Sequence, residues 1–349
     1  MKLFKEDLSW SASQGIIFED QVEKLWTNLD VRAQSRSQFD VVHLLYYLGA
    51  MLVISAMGWF MNKSWEEFGG RGIFLIASAY GLAFALAGCF LWFKTTSKTA
   101  GGILVTLAVW MAPLAIYGLQ RWLGLWPTED PGDYAEFHAF VNSGWLYMEI
   151  GTILLGVIAL IFVRFPFLTF PIAFALWYMS MDLTPYFYKQ SEYFSWHDRF
   201  TVSLYFGLIM IVVSYILDHR TKQDYSFWGY LFGLMAFWGG MTLLESGSEK
   251  MKVIYCVVNV VLMLLAIFLD RKAFMVFGAW GVFAYLGHLA YEVYRDSSTF
   301  PFVLSAVGVV LILVGVLYHR RQASIDQSLI SLVPKWLQAL RPSRRDSRI

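Results

Sequence analysis

The feature that most restricts this chain is the run Val41–Met61, VVHLLYYLGAMLVISAMGWFM, which holds no Asp, Glu, Lys or Arg. A helix of about twenty such residues, rising ~1.5 Å per residue, crosses the ~30 Å hydrocarbon core of a bilayer. Residues 1–40 are far more polar, so this run is read as the first span, and its direction sets that of every later one.

Further apolar runs at 73–93, 100–119, 145–163, 166–181, 200–217, 227–244, 253–269, 273–294 and 301–318 follow. Hydrophobic residues make up 58% of the chain and charged ones only 15%, against roughly a quarter charged in soluble domains. Aromatic residues reach 18%, which suits a chain with many membrane–water interfaces. The expected fold is an all-α, polytopic integral membrane helical bundle of about ten transmembrane helices. Both cysteines, Cys89 and Cys256, lie in apolar runs, which argues against a disulfide framework or a cysteine zinc site. The opening MKLFKEDLSW lacks the apolar core of a cleaved signal, and none is expected.

Positively charged loops stay on the cytoplasmic side. With residues 1–40 inside, the inner segments hold 19 of the 27 Lys and Arg and the outer loops hold 8. Both ends are therefore expected in the cytoplasm. The expected division is a cytoplasmic helical hairpin at 1–40, a transmembrane domain at 41–318 and a basic tail at 319–349.

In the first of these, Leu3, Phe4 and Leu8 suggest a short helix that Gly15 can end, and Phe18, Val22, Leu25 and Leu29 form one stripe of a second. In the tail, Leu329, Leu332, Val333, Trp336, Leu337 and Leu340 share a helical face, with Arg341, Arg344, Arg345 and Arg348 after it. That is the pattern of an amphipathic helix lying on anionic lipid. Nucleic acid is not an expected partner of so short a basic segment beside a membrane. A membrane-protein partner or a second copy of the chain is a further candidate for the docking ends.

The hairpin has a Gly15-Ile16-Ile17 turn and the step Glu19-Asp20-Gln21. Tyr47-Leu48-Gly49-Ala50 then opens the first span, and Trp65 follows it. Over roughly residues 5–90 this resembles an uncharacterised bacterial family of predicted membrane proteins carrying the domain of unknown function DUF2157. Phe18 stands where that family usually has a small or polar capping residue, and an Asn-Trp pair is loosened to Asn62-Lys63-Ser64-Trp65. The resemblance implies a multi-pass protein of the bacterial inner (cytoplasmic) membrane. It carries no assigned activity and no catalytic residues.

Ionisable groups within spans are costly and mark candidate functional positions. His288 and Glu292, with Tyr291 between them, share a face at i and i+4 and are the first candidates for holding a proton or a metal. The alternative is that both sit near the outer surface and reach headgroups or water. Glu149, early in its span, is expected to be a wetted interfacial acid. Asn259, in mid-span, is expected to hydrogen-bond across helices. His43 is expected at an interface. In the outer loops Asp133, Glu136 and His138, and His197 with Asp198, offer ligand-type atoms at spacings that fix no geometry. Gly229/Gly233, Gly151/Gly156, Gly278/Gly281 and Gly308/Gly315 put small residues where helices can approach closely or a dimer face can form.

The sequence contains no phosphate-binding loop, no GxGxxG, no HExxH, no GxSxG and no CxxC. No catalytic residue, metal or cofactor is therefore assigned, and the balance is against an enzyme. Two readings stand beside each other: transport of a small solute or ion through the bundle, and a non-enzymatic scaffold, assembly or sensor protein docking through its cytoplasmic ends. They separate on whether His288, Glu292, Glu149 and Asn259 face one cavity reaching the midplane.

Overall fold

The fold is that of a computed structural model, which describes residues 5–34, 41–64, 68–126, 143–184, 196–221, 223–244 and 248–293 and the isolated positions 299, 302, 305, 308 and 309. Among the described residues the secondary structure is helical, with no strand. The chain divides into two compact units, Met1–Val53 and Ile54–Ile349.

The first unit contains α1 (Lys5–Ser13), α2 (Glu19–Gln34) and the first half of α3 (Val41–Ser64). α1 ends as the glycine predicts: Gly15 has φ +70°, and its N–H and that of Ile16 return to Ala12 and Ser11. The left-handed residue lets the chain reverse while capping the last carbonyls. α2 starts without a polar N-cap, yet the Gln21 side chain accepts the Phe18 N–H at 3.2 Å, the reciprocal half of a capping box. Val22 is buried, while Trp10, Ile16 and Phe18 are exposed.

The second unit continues with α4 (Gly69–Lys94), α5 (Lys98–Trp110), α6 (Ala112–Trp122) and α7 (Ser143–Phe162). α8 (Thr169–Asp182), α9 (Trp196–Arg220), α10 (Phe227–Leu243), α11 (Glu249–Leu269) and α12 (Lys272–His288) complete it, with a π-helical turn at Leu289–Val293. Six helices among the described residues are long and apolar enough to cross a membrane: α4, the α5–α6 rod, α7, α9, α11, and α12 with its continuation. A backbone in hydrocarbon has no water to bond, and helices meet that demand within each segment. Of the other expected spans, Val41–Met61 forms α3, the fifth and seventh form shorter helices of 14 and 17 residues, and most of the tenth lies outside the described residues, as does the tail helix.

Pro113 breaks the third span in two. It has no N–H to give and its ring clashes with the carbonyl four residues back, so α5 stops at Trp110 and α6 restarts at Ala112. This rod is the centre of its half of the unit, 61% buried across its apolar window against 17–28% for the other five helices. It lies along α4 through glycine: a Cβ on Gly118 would strike the Phe74 backbone, and one on Gly88 the Gly101 carbonyl. From there the packing runs α6 to α7, α7 to α8, α8 to α9 and α10, and α10 to α12, with α11 along α12.

Gly207 of α9 faces the backbone of Phe237 and Gly233 in the same way, so α9 and α10 form a second glycine-lined pair. The Gly229/Gly233 step thus serves a contact inside the chain: Gly229 sits on Ser214 and Gly233 on Met210 and Ile211. Where lipid offers no hydrophobic drive between helices, close backbone approach supplies the dispersion contacts that hold them.

The aromatic content has a second use beside interfaces. Between α5, α8 and α10 the rings of Trp110, Phe170, Phe174, Trp177, Trp228 and Phe232 form one cluster, with Trp110 stacked on Phe170 at 4.9 Å and Trp228 against Phe170 at 4.6 Å. Aromatic pairs of this kind add roughly 0.5–1.5 kcal/mol each beyond the area they bury.

Candidate functional site

Two polar constructions stand at opposite ends of α9–α12. At the turn end, Asp270 takes φ +55° and closes α11, which presents Arg271 to the loop between α9 and α10. Its Nε and Nη2 donate to Asp218, Nη1 donates to both oxygens of Asp224 at 2.9 Å, and Nη2 also donates to Ser226 at 2.9 Å. The guanidinium lies 5.2 Å from the Tyr230 ring centre. Burial works against its charge, but the hydrogen-bonded carboxylates of Asp224 and Asp218 outweigh that and raise its pKa. Arg164, in the turn between α7 and α8, is near enough to Tyr225 to oppose the upward push that burial gives the phenol. In this clasp Arg271, Asp218, Asp224 and Ser226 bond to one another, while the Tyr230 hydroxyl is buried without a hydrogen-bond partner.

The other end is open. A cleft of about 630 Å³ lies between the first turn of α9, the last of α10, the first two of α11 and the last of α12. α9 contributes His197 and Thr201, and α10 contributes Met241, Thr242 and Leu244. α11 lines it with Met251, Lys252, Ile254 and Tyr255, and α12 with Ala284, Tyr285 and His288. The Thr242 and Tyr255 hydroxyls meet at 3.0 Å across the α10–α11 junction. At the rim, Glu249 takes the Lys252 ammonium at 2.9 Å and lies 3.3 Å from His288 Nε2. Glu249 is well exposed, whereas the His288 side chain is 18% exposed. Five of the twelve lining residues are aliphatic or Met, and the other seven bring one ammonium, two imidazoles and four hydroxyls, of which that of Thr201 donates to the His197 carbonyl of its own helix.

On α11 the cleft lining ends at Tyr255, one turn short of Asn259. Asn259, fully buried, accepts the Trp238 indole N–H at 3.0 Å through Oδ1 and donates to the Tyr255 carbonyl at 2.8 Å through Nδ2. Its carboxamide rests on Gly281, where any Cβ would overlap it. The expected bridge between helices is therefore present, and it joins α10, α11 and α12 directly under the cleft.

These placements revise several expectations. His288 has its carboxylate contact from Glu249, thirty-nine residues away in the chain; the Glu292 side chain lies outside the described residues. Tyr291, on the π-helical turn, is 72% exposed. Glu149, expected in a wetted interface, is 5% exposed, because α7 turns that face onto neighbouring helices. Asp198 is half-buried, while His197 joins His288 in the cleft. Asp133, Glu136 and His138 lie outside the described residues, as does the His43 side chain. No cluster of His, Cys, Asp and Glu with metal-holding geometry occurs among the described residues.

Reading the sequence missed Lys252, Glu249, Thr201, Thr242, Tyr255 and Tyr285. All but Tyr285 stand within about a turn of a span end, where a polar residue carries little cost and hence little signal. Only their convergence marks them.

The N-terminal pattern described above, a glycine-turned hairpin followed by apolar helices through α6, is now in place. Residues 9–119 match the model of the family described as predicted membrane protein (DUF2157). The match includes most of α1 and runs into the last turn of α6. No curated protein and no solved structure matches the chain. The apolar helices and the family match together describe a multi-pass membrane protein.

Proposed function

We propose that the chain is a non-enzymatic membrane sensor, multi-pass in a bacterial inner membrane, that binds a small ligand in the cleft between α9, α10, α11 and α12. The observation that carries this reading is the floor of the cleft. The polar lining ends at the level of Tyr255 and Thr201, and one turn further in the Asn259 carboxamide is already spent on Trp238 and a carbonyl. A conduit needs polar groups continuing to the midplane. Here they stop at Tyr255, which lies ~9 Å along α11 from Glu249 at the rim. Glu149 and Asn259 are packed separately rather than around one path, which favours sensing over transport.

The apolar side chains of the walls and the Lys252, His197 and His288 nitrogens suit a ligand with an apolar body and an acidic head, with Glu249 holding Lys252 and His288 until it arrives. The Lys and Arg distribution supports placing the cleft on the external side and both chain ends in the cytoplasm, the basic tail against anionic lipid.

The test is thiol accessibility in intact cells, using a chain that lacks Cys89 and Cys256. A membrane-impermeant maleimide added outside is expected to label Ala284→Cys and to leave Met263→Cys unlabelled. Labelling of both positions would restore the conduit, and labelling of Ala284→Cys only after the cells are opened would reverse the orientation.

A further inference from the structure

The cleft lies where two pairs of helices part. α9 and α10 stay close up to this end, where a Cβ on Gly240 would strike the Phe200 carbonyl. α11 and α12 are joined in the same way, Gly278 against the Asn259 carbonyl and Gly281 against its carboxamide. The two pairs meet at the Arg271 clasp and again through Tyr230 on Phe274 and Trp238 on Phe277, with ring centres 5.4 and 5.7 Å apart. Gly281, Ala284, Tyr285 and His288 then share one face of α12 at i, i+3, i+4 and i+7. Asn259 covers Gly281, whereas the other three line the cleft, so beyond Asn259 this face leaves α11.

The apolar part of the lining belongs to surface that faces hydrocarbon. Met251 and Ile254 are 57% and 53% exposed, and they head an exposed stripe on α11 that continues through Val257, Val261 and Leu265. On α12, Ala284 is exposed beside Trp280 and Phe283. An alkyl chain in the cleft therefore passes onto lipid-facing surface without crossing a polar barrier. The polar groups are ordered by depth. Counted along α11 from Glu249 at the rim, Lys252 lies ~4.5 Å in and Tyr255 ~9 Å in. The Tyr255 and Thr242 hydroxyls meet at that lower level. A cation outside, hydroxyls one turn below and apolar side chains leading inward match the parts of a phospholipid: phosphate, ester oxygens, acyl chain. The residues lining the cleft carry one ammonium and no carboxylate, which favours a head of net negative charge. Glu249 holds that ammonium at 2.9 Å from an exposed position, and so exposed a pair is weak enough to yield to a phosphate.

We propose that the ligand of the cleft is an anionic phospholipid of the surrounding leaflet. It enters from the bilayer, sets its phosphate on Lys252 and His288, and lays an acyl chain along Met251 and Ile254. This rests on the cleft being the ligand site and names what that site takes. Occupancy then follows the anionic lipid content of the leaflet at this end of α9–α12, and a water-soluble acid leaves the apolar stripe uncovered.

The test uses the full-length chain lacking Cys89 and Cys256 and carrying Ala284→Cys. It is placed in nanodiscs of phosphatidylcholine alone, or with a minor fraction of phosphatidylglycerol as the anionic probe. The rate of modification by an uncharged, water-soluble maleimide reads whether the cleft is filled. Phosphatidylglycerol is expected to slow labelling several-fold. Glycerol 3-phosphate, a head without chains, should leave the rate in phosphatidylcholine discs unchanged. Lys252→Gln should abolish the slowing, and it should fold, since it loses only an exposed ion pair; His288→Gln should weaken the slowing. Three results would each overturn the proposal. They are no slowing by phosphatidylglycerol, equal slowing in the parent chain and both variants (a general effect of surface charge), or protection by glycerol 3-phosphate alone, which gives the cleft to a soluble acid. All three leave the cleft standing as a ligand site. An Ala284→Cys that reacts in no disc removes that site, and the lipid with it.

Discussion

Replacing Arg271 with Met removes the cation from the clasp and keeps most of its apolar volume. The cost follows from what each partner loses. The Asp218 side chain is 1% exposed and receives two guanidinium N–H groups, so it becomes a buried carboxylate with its main donors gone. Breaking a buried pair from one side costs about 3–5 kcal/mol. Asp224 is 40% exposed and can turn to water, so its share falls to about 1 kcal/mol or less. The whole effect is therefore about 3–5 kcal/mol, and it sits almost entirely on Asp218. Two further variants locate it. Arg271→Lys keeps the charge but not the fork that reaches Asp218 and Asp224 together, and should lose roughly half. Asp218→Asn added to Arg271→Met should recover most of the loss, because the orphaned charge is then gone. Reversible unfolding of the protein in bicelles, run as a double-mutant cycle, measures all three. A loss below about 1 kcal/mol for Arg271→Met, or no recovery in the double variant, would show that the clasp is a surface ion pair and that its burial has been misread.

Gly207→Val should cost about 1–3 kcal/mol or more in the same unfolding assay, because its Cβ meets the Phe237 backbone, which cannot step aside as a side chain could. Asn259→Leu should lose about 1 kcal/mol, the Trp238 N–H being left without its acceptor, and the added bulk against Gly281 should loosen α12 from α11; disulfide trapping between cysteines placed on the two helices would report it. In the N-terminal unit, Gln21→Ala should speed hydrogen exchange at the Phe18 amide several-fold while amides in the middle of α2 stay unchanged.

Among the described residues the positions of the helices were legible in the sequence, six of them long and apolar enough to cross a membrane where about ten spans were expected. A run such as 253–269 has one physical solution in hydrocarbon, and α11 realises it; Gly15 and Pro113 likewise act where their backbone chemistry requires. Asn259 was legible too, since a carboxamide in mid-span must find a partner, although that the partner is Trp238 was not. What the chain order could not reveal is which polar groups meet. His288 points by spacing to Glu292, four residues away, and its contact in the fold is Glu249, the first residue of the preceding helix. Glu149 lies by position in a wet interface, and packing buries it against α8.

Taken alone, the amino-acid order determined that helices form, where they bend and how apolar each one is, because those properties depend on neighbours within a turn or two of the same segment. The tertiary structure decided the clasp at Arg271 and the cleft. Each is assembled from residues near the ends of different helices, where single side chains carry no local energetic mark and only the pairing of helices through glycine and aromatic rings brings them within reach of one another.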